Sequence, residues 1–252
     1  MKKSLIALIG LGLLVVTPSC KKGENDPAIS LSSGKARVAG DYNLDSWTSY
    51  TKTSDSDGVI TETTITLDNN DGARVVKTTD DGESATVTRN ITVNKATFNF
   101  TKDGTWETVL NTTTTWTEEG GGLIIDQYTY TVVETMMESG TWSFLGGEAE
   151  GFANKESLIM TVLMSESTSQ TTTNIVYTDG SSNSSTGDLY GNRDEFASGQ
   201  NTTVYNIDML KGKEMRLKQD NTGEFANSTS SGAVTVTFTV MQLGDVEIRL
   251  VE

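Results

Sequence analysis

From Val38 onward the chain alternates polar and apolar residues in short runs, and Asp-Gly pairs punctuate those runs. No other feature constrains the fold as much. A period of two sends successive side chains to opposite faces of a strand, whereas an amphipathic helix repeats every three or four residues. Phe98 and Phe100 fall on one face, with Thr97, Asn99 and Thr101 on the other. Trp106, Thr108 and Leu110 share a face beyond the Lys102-Asp103-Gly104 turn. Ile124 to Met136, Leu158 to Met164, Val234 to Val240 and Val246 to Leu250 each alternate or read as a buried strand. Threonine is abundant and there are only 2 prolines, a composition that suits sheets. Asp57-Gly58, Asp71-Gly72, Asp81-Gly82, Asp103-Gly104 and Asp179-Gly180 predict tight hairpin turns. These signals predict about ten strands in an antiparallel all-β domain. Only Leu189 to Ala197 reads as a helical turn or two.

What the chain lacks narrows its chemistry. It has no histidine and 1 cysteine, Cys20. Ser-His-Asp and Cys-His nucleophilic sites are therefore impossible within the chain, as are the common His/Cys zinc sites. No internal disulfide can staple the fold, so an ordinary hydrophobic core must hold it. With 19 basic against 34 acidic residues the net charge is −15, which repels phosphate backbones and anionic membranes. Nucleic acid is not an expected partner. The 252 residues suffice for one sizeable all-β core.

The N-terminus carries an address. Lys2 and Lys3 precede an apolar stretch from Leu5 to Val16, too short to span a bilayer comfortably as a helix. Thr17-Pro18-Ser19 then leads into Cys20. The order resembles the signal of a bacterial lipoprotein, which implies a lipidated cysteine as the mature N-terminus. Thr17 and Pro18 stand where the usual box is more aliphatic; Ser19 fits it. A signal peptide cut without lipidation is the alternative. Residues 1–19 are accordingly expected to be a signal, 20–37 a lipidated cysteine and flexible tether, and 38–252 the folded domain. Acyl chains on Cys20 would be the membrane contact, because no later apolar run is long enough for a membrane helix. Lys21 to Asp26 loosely resembles the charged stretch that marks Bacteroidota lipoproteins for the cell surface. The expected location is the outer membrane, facing either the periplasm or the exterior.

Motifs spaced along the domain carry a second resemblance. They are Gly40-Asp41-Tyr42-Asn43-Leu44, the strand and turn from Ala96 to Trp106, Gly140-Thr141-Trp142-Ser143-Phe144, and Tyr205 to Leu210 followed by Glu214 to Leu217. Their order resembles the lipocalin-like domain family of Bacteroidota lipoproteins. The resemblance implies an antiparallel up-and-down β-barrel whose early aromatics plug one end. Tyr42 takes the place of the tryptophan in the Gly-x-Trp motif of true lipocalins. A late arginine packs on that tryptophan there, which implies Arg216 or Arg249 as the barrel-closing cation here.

Function then turns on the barrel interior. Trp47, Trp106, Trp116 and Trp142 lie in predicted strands, with Met136, Met160, Met164, Met209 and Met215 elsewhere in the sheet. An adaptable Met/aromatic interior suits a small, partly apolar ligand, and Trp106, Trp142, Met160 and Met215 are the candidate contacts. The same residues would also fill a closed core, leaving a structural protein that docks onto another envelope protein through its loops. Asp179 to Asn201, with Leu189, Tyr190 and Phe196, is read as a lid over the barrel mouth or as padding on its rim.

Catalysis and metal binding find little support. Most acids sit in turns, and Glu134 and Glu138, which flank Met136, read as rim or outward-facing residues, so no enzyme is expected. Thr53 to Gly58 and Leu67 to Gly72 have spacings near a calcium loop but begin with Thr and Leu where an acid is needed. No metal or cofactor is expected.

Overall fold

A computed structural model of the chain describes residues 34–54, 58–122, 124–145, 157–197, 199–211, 213–231 and 234–252. Cys20, the signal and most of the proposed tether lie outside the described residues, as does part of the Thr53 to Gly58 loop. One short helix, α1 (Gly34–Val38), precedes twelve strands. In chain order these are β1 (Gly40–Ser54), β2 (Ile60–Asp68), β3 (Asp71–Asp80), β4 (Glu83–Phe100), β5 (Thr105–Glu119) and β6 (Ile125–Leu145). Then follow β7 (Ser157–Tyr177), β8 (Ser182–Thr186), β9 (Tyr190–Glu195), β10 (Thr202–Lys211), β11 (Glu214–Ser231) and β12 (Val234–Val251).

Every pairing is antiparallel, and the pairings close a ring. β1 to β7 pair in sequence, β7 pairs β10, and β10–β11–β12 returns to β1. The all-β, barrel-like architecture expected from the alternation is thus the observed one, with 10 strands in the ring. Where β10 joins β7, closure leaves no free edge, and farther along β7 the strands β9 and β8 cover its edge instead.

The barrel is not uniform along its axis. Gly40 to Asn43 of β1 pair directly with Thr97 to Phe100 of β4. From Ser46 onward β1 pairs with β2 instead, so the β2–β3 hairpin is wedged between β1 and β4. A bulge marks each side of this fork, at Asp45 between Leu44 and Ser46 and at Asn94 between Val93 and Lys95. Bulges bend a strand and sharpen its twist, which lets two neighbours diverge. The hairpin tip is tied down there by the Val93 N–H, which donates to the Asn70 carbonyl at 2.9 Å. Asn94 braces the fork with two 2.8 Å hydrogen bonds, to Asn111 Oδ1 and Thr113 Oγ1.

Below the fork the ring therefore lacks β2 and β3, and above it includes them. Barrel diameter grows with strand number, and a ring near eight strands is just wide enough to be filled by side chains. The narrow end is filled as that rule requires. Tyr42, Phe100 and Trp142 make a T-shaped aromatic chain with centroid spacings of 6.1 Å, packed with Leu158, Leu210, Met215 and Leu250. Val38 of α1 is fully buried against this end. The Tyr42 hydroxyl donates to the Arg37 carbonyl at 3.2 Å, and the Arg37 guanidinium donates to the Leu210 carbonyl. The helix α1 thus takes up the end of the segment read as tether and closes the narrow end.

Two local expectations change and one holds. Asp71-Gly72 is not a turn: the β2–β3 turn centres on Asn69-Asn70, and Gly72 already pairs with Leu67. Asp81-Gly82 does form the expected turn, with φ of 45° and 85°, the double positive φ of type I′. Leu189 to Ala197 is not helical; β9 runs along β7 from Met164 to Ser169, with β8 beyond it. A strand edge on β7 that β10 leaves uncovered offers ladder hydrogen bonds, which outweigh a weak helical pattern.

Candidate functional site

Above the aromatic plug the interior is hollow. A lower chamber of about 250 Å³ is lined by Leu44, Phe98, Phe100, Trp106, Met160, Leu217 and Ile248. Thr108, Glu138 and Tyr205 are its polar groups. An upper chamber of about 240 Å³ is lined by Ile65, Leu67, Ile91, Trp116, Val132, Thr112 and Thr114, with Arg74, Arg89 and Glu134. Trp47 and Leu110 line both, so the two chambers adjoin.

Strand register explains the walls. On β5 and β6, Trp106 pairs Gly140, Thr108 pairs Glu138, Leu110 pairs Met136, Thr112 pairs Glu134 and Thr114 pairs Val132. These are even-numbered positions of one pleat, all facing in. Trp106 reaches over Gly140, which has no side chain, and its indole N–H donates to the Thr161 carbonyl at 3.3 Å. A Cβ at Gly140 would collide with that same carbonyl.

The four candidate contacts separate into two pairs. Trp106 and Met160 line the lower chamber. Trp142 and Met215 do not; both are buried in the plug beneath it. Trp142 instead fixes its indole N–H on the Thr101 carbonyl at 3.2 Å and meets Phe144 edge to face at 5.8 Å. The interior is thus both a packed core and a cavity, divided at the fork.

Arg216 and Arg249 do not close the barrel on Tyr42. They alternate with Met215, Leu217, Ile248 and Leu250, all buried, and so point outward. Arg216 pairs with Asp208 and Glu247, both at 3.5 Å, and Arg249 with Asp45 at 3.1 Å and Glu214 at 2.6 Å. A cation–π contact does occur elsewhere: the Arg89 guanidinium lies 3.9 Å from the Trp116 ring centroid. Trp116 also stacks on Tyr130 at 5.1 Å.

Glu134 and Glu138 line the cavity rather than an outer face. Glu138 shares its parity with Met136 and Trp142, and that signal was available in the sequence. Burial raises its carboxyl above the ordinary carboxylate range, opposed in part by the Ser165 hydroxyl at 3.4 Å. Tyr205 faces the same chamber, and burial together with the Glu138 charge pushes its phenol up to about 12. The Trp47 indole nitrogen is shielded from solvent and has no hydrogen-bond partner. A mostly apolar cavity with a few inward donors and acceptors is the usual make-up of a small-molecule site.

Among the described residues no three acidic, histidine or cysteine side chains gather as metal ligands. Asp103 is held below the ordinary carboxylate range by the Thr101 hydroxyl and then by Thr105, a turn role. No protein-family model, curated protein or solved structure matches the chain.

Proposed function

We propose that this protein is a non-enzymatic carrier that holds a small, partly apolar molecule in the wide end of its barrel and is anchored to an envelope membrane by lipid on Cys20. The observation that supports binding is the pair of adjoining chambers above a separately packed plug. A mostly apolar pocket with a few convergent polar groups is the usual place for a small molecule to bind. The anchor rests on the charged, apolar and cysteine order at the N-terminus. The resemblance to lipocalin-like lipoproteins agrees with both. Native mass spectrometry of the protein purified from its own cells tests the first half. A retained small molecule, lost from a Trp106→Ala variant that still folds, is the expected result; an empty barrel that also binds no apolar fluorophore rejects the carrier.

Docking onto another envelope protein is the second reading. It is favoured by Leu189 and Tyr190, which are 64% and 74% exposed at the start of β9. Phe196 packs partly against the core, so the segment pads the barrel at one point and presents apolar side chains at another.

A further inference from the structure

The upper chamber has an unbalanced charge arrangement. Arg74 and Arg89 are direct cross-strand partners on β3 and β4, and both line the chamber wall. Like charges placed opposite each other destabilise a sheet. Among the described residues neither arginine makes an ion pair, although acids outnumber bases 34 to 19 in the chain. The Nε of Arg89 is shielded from solvent and lacks a hydrogen-bond partner, while Trp116 fixes the guanidinium from one side. Trp47 offers another shielded donor without an acceptor, where the two chambers meet.

Two carboxyl groups line the cavity: Glu134 shares the upper chamber with the arginines without pairing with either, and Glu138 lines the lower one. Trp116, beside Arg89, pairs with Tyr130, whereas Glu134 pairs with Thr112. Four residues of strand separate those rungs, roughly 13 Å. Glu138 lies further down, opposite Thr108. An acid pushed to the lower chamber would meet like charge, and an acid left at the upper rung would relieve the arginine pair. We infer that the cavity takes an amphiphile with an anionic headgroup, the acid bound at Arg74 and Arg89 and the apolar body directed past Trp47 toward Met160. The guanidinium forks suit a carboxylate or a phosphate through charge-assisted hydrogen bonds. This assignment rests on the carrier reading and gives it a ligand class and an orientation.

Three ten-carbon probes test it: decanoate, decyl phosphate and 1-decanol, titrated into the mature protein below their aggregation concentrations. At low salt at least one acid is expected to bind about tenfold tighter than the alcohol. Arg74→Gln and Arg89→Gln should each bring that acid close to the alcohol's affinity and shift the alcohol's affinity far less. Arg74 is exposed, so its variant keeps the test valid if Arg89→Gln fails to fold. Ligand-free Arg74→Gln should melt no lower than the wild type, because a like-charge pair has been removed. Equal affinity for acids and alcohol, unmoved by either substitution, overturns the headgroup assignment and leaves the carrier intact. Failure of all three probes to bind overturns the carrier itself.

Discussion

Phe100 and Trp142 meet edge to face across the narrow end of the barrel, with centroids 6.1 Å apart and planes at 81°. Both are buried, Trp142 within the plug and Phe100 between the plug and the lower chamber that it also lines. Phe100→Ala and Trp142→Ala should each cost about 3–5 kcal/mol of stability, the usual loss for truncating a buried aromatic. Phe98 lines the lower chamber and is only half-buried, so Phe98→Ala should cost distinctly less. Urea unfolding of the three variants checks the order; equal losses would mean that plug and chamber are one continuous core.

Gly140 supports the same region by having no side chain. Its Cβ would strike the Thr161 carbonyl that accepts the Trp106 indole N–H. Gly140→Ala should therefore destabilise by at least about 1–3 kcal/mol through overpacking. It should also alter tryptophan fluorescence, because Trp106 loses its hydrogen bond. A variant as stable as the wild type with an unchanged spectrum would count against this register.

How much of this was legible in the sequence depends on parity. Within a strand it was clear: Phe98 with Phe100, and Trp106 with Leu110, face inward as the alternation requires. It failed at the bulges. Tyr42 and Leu44 face in, yet Asp45 is an extra residue on β1, so the next inward side chain is Trp47. No residue pattern marks Asp45 as a bulge; the fork between β2 and β4 imposes it. Asn94 shifts β4 in the same way, from Ile91 and Val93 to Ala96 and Phe98. The division between plug and cavity follows from that fork, so it was hidden as well. Glu138 is the opposite case: its parity with Met136 points inward, against the general rule that acids are solvated. The opposition of Arg74 and Arg89 needed the β3–β4 register, which the Asp81-Gly82 turn fixes.

Burial of Glu138 makes stability depend on pH with a definite sign. Its folded pKa is raised, so the folded state holds the proton over a range in which the unfolded chain has released it. That contribution is fully present below the ordinary carboxylate pKa and is lost as pH rises through the raised value. Glu138→Gln should therefore gain stability relative to the wild type as pH rises from about 4 to 7. Comparing the two proteins cancels carboxylates such as Asp103 and Asp179, whose lowered values act in the opposite direction. Thermal melting across that range measures the difference; a gap independent of pH would place the Glu138 carboxyl in water.

Met160 distinguishes the hollow barrel from a filled one. It pairs with Trp142 on β6 and Thr203 on β10, and its side chain borders the lower chamber. In a tightly filled interior, Met160→Trp would overpack and cost about 1–3 kcal/mol. Here the added ring atoms have the chamber of about 250 Å³ to enter, so unfolding should show a loss at or below the lower end of that range. The indole would occupy the place of a ligand's apolar end, and an environment-sensitive apolar probe should bind at least about tenfold more weakly, in line with the few groups it can no longer bury. Titrating the probe into wild type and variant, beside urea unfolding of both, gives the two numbers that matter. Weak destabilisation with lost binding is the signature of a cavity kept open for a ligand. Strong destabilisation in a protein that never bound the probe would make the barrel a packed scaffold and shift its function to the exposed Leu189–Tyr190 edge.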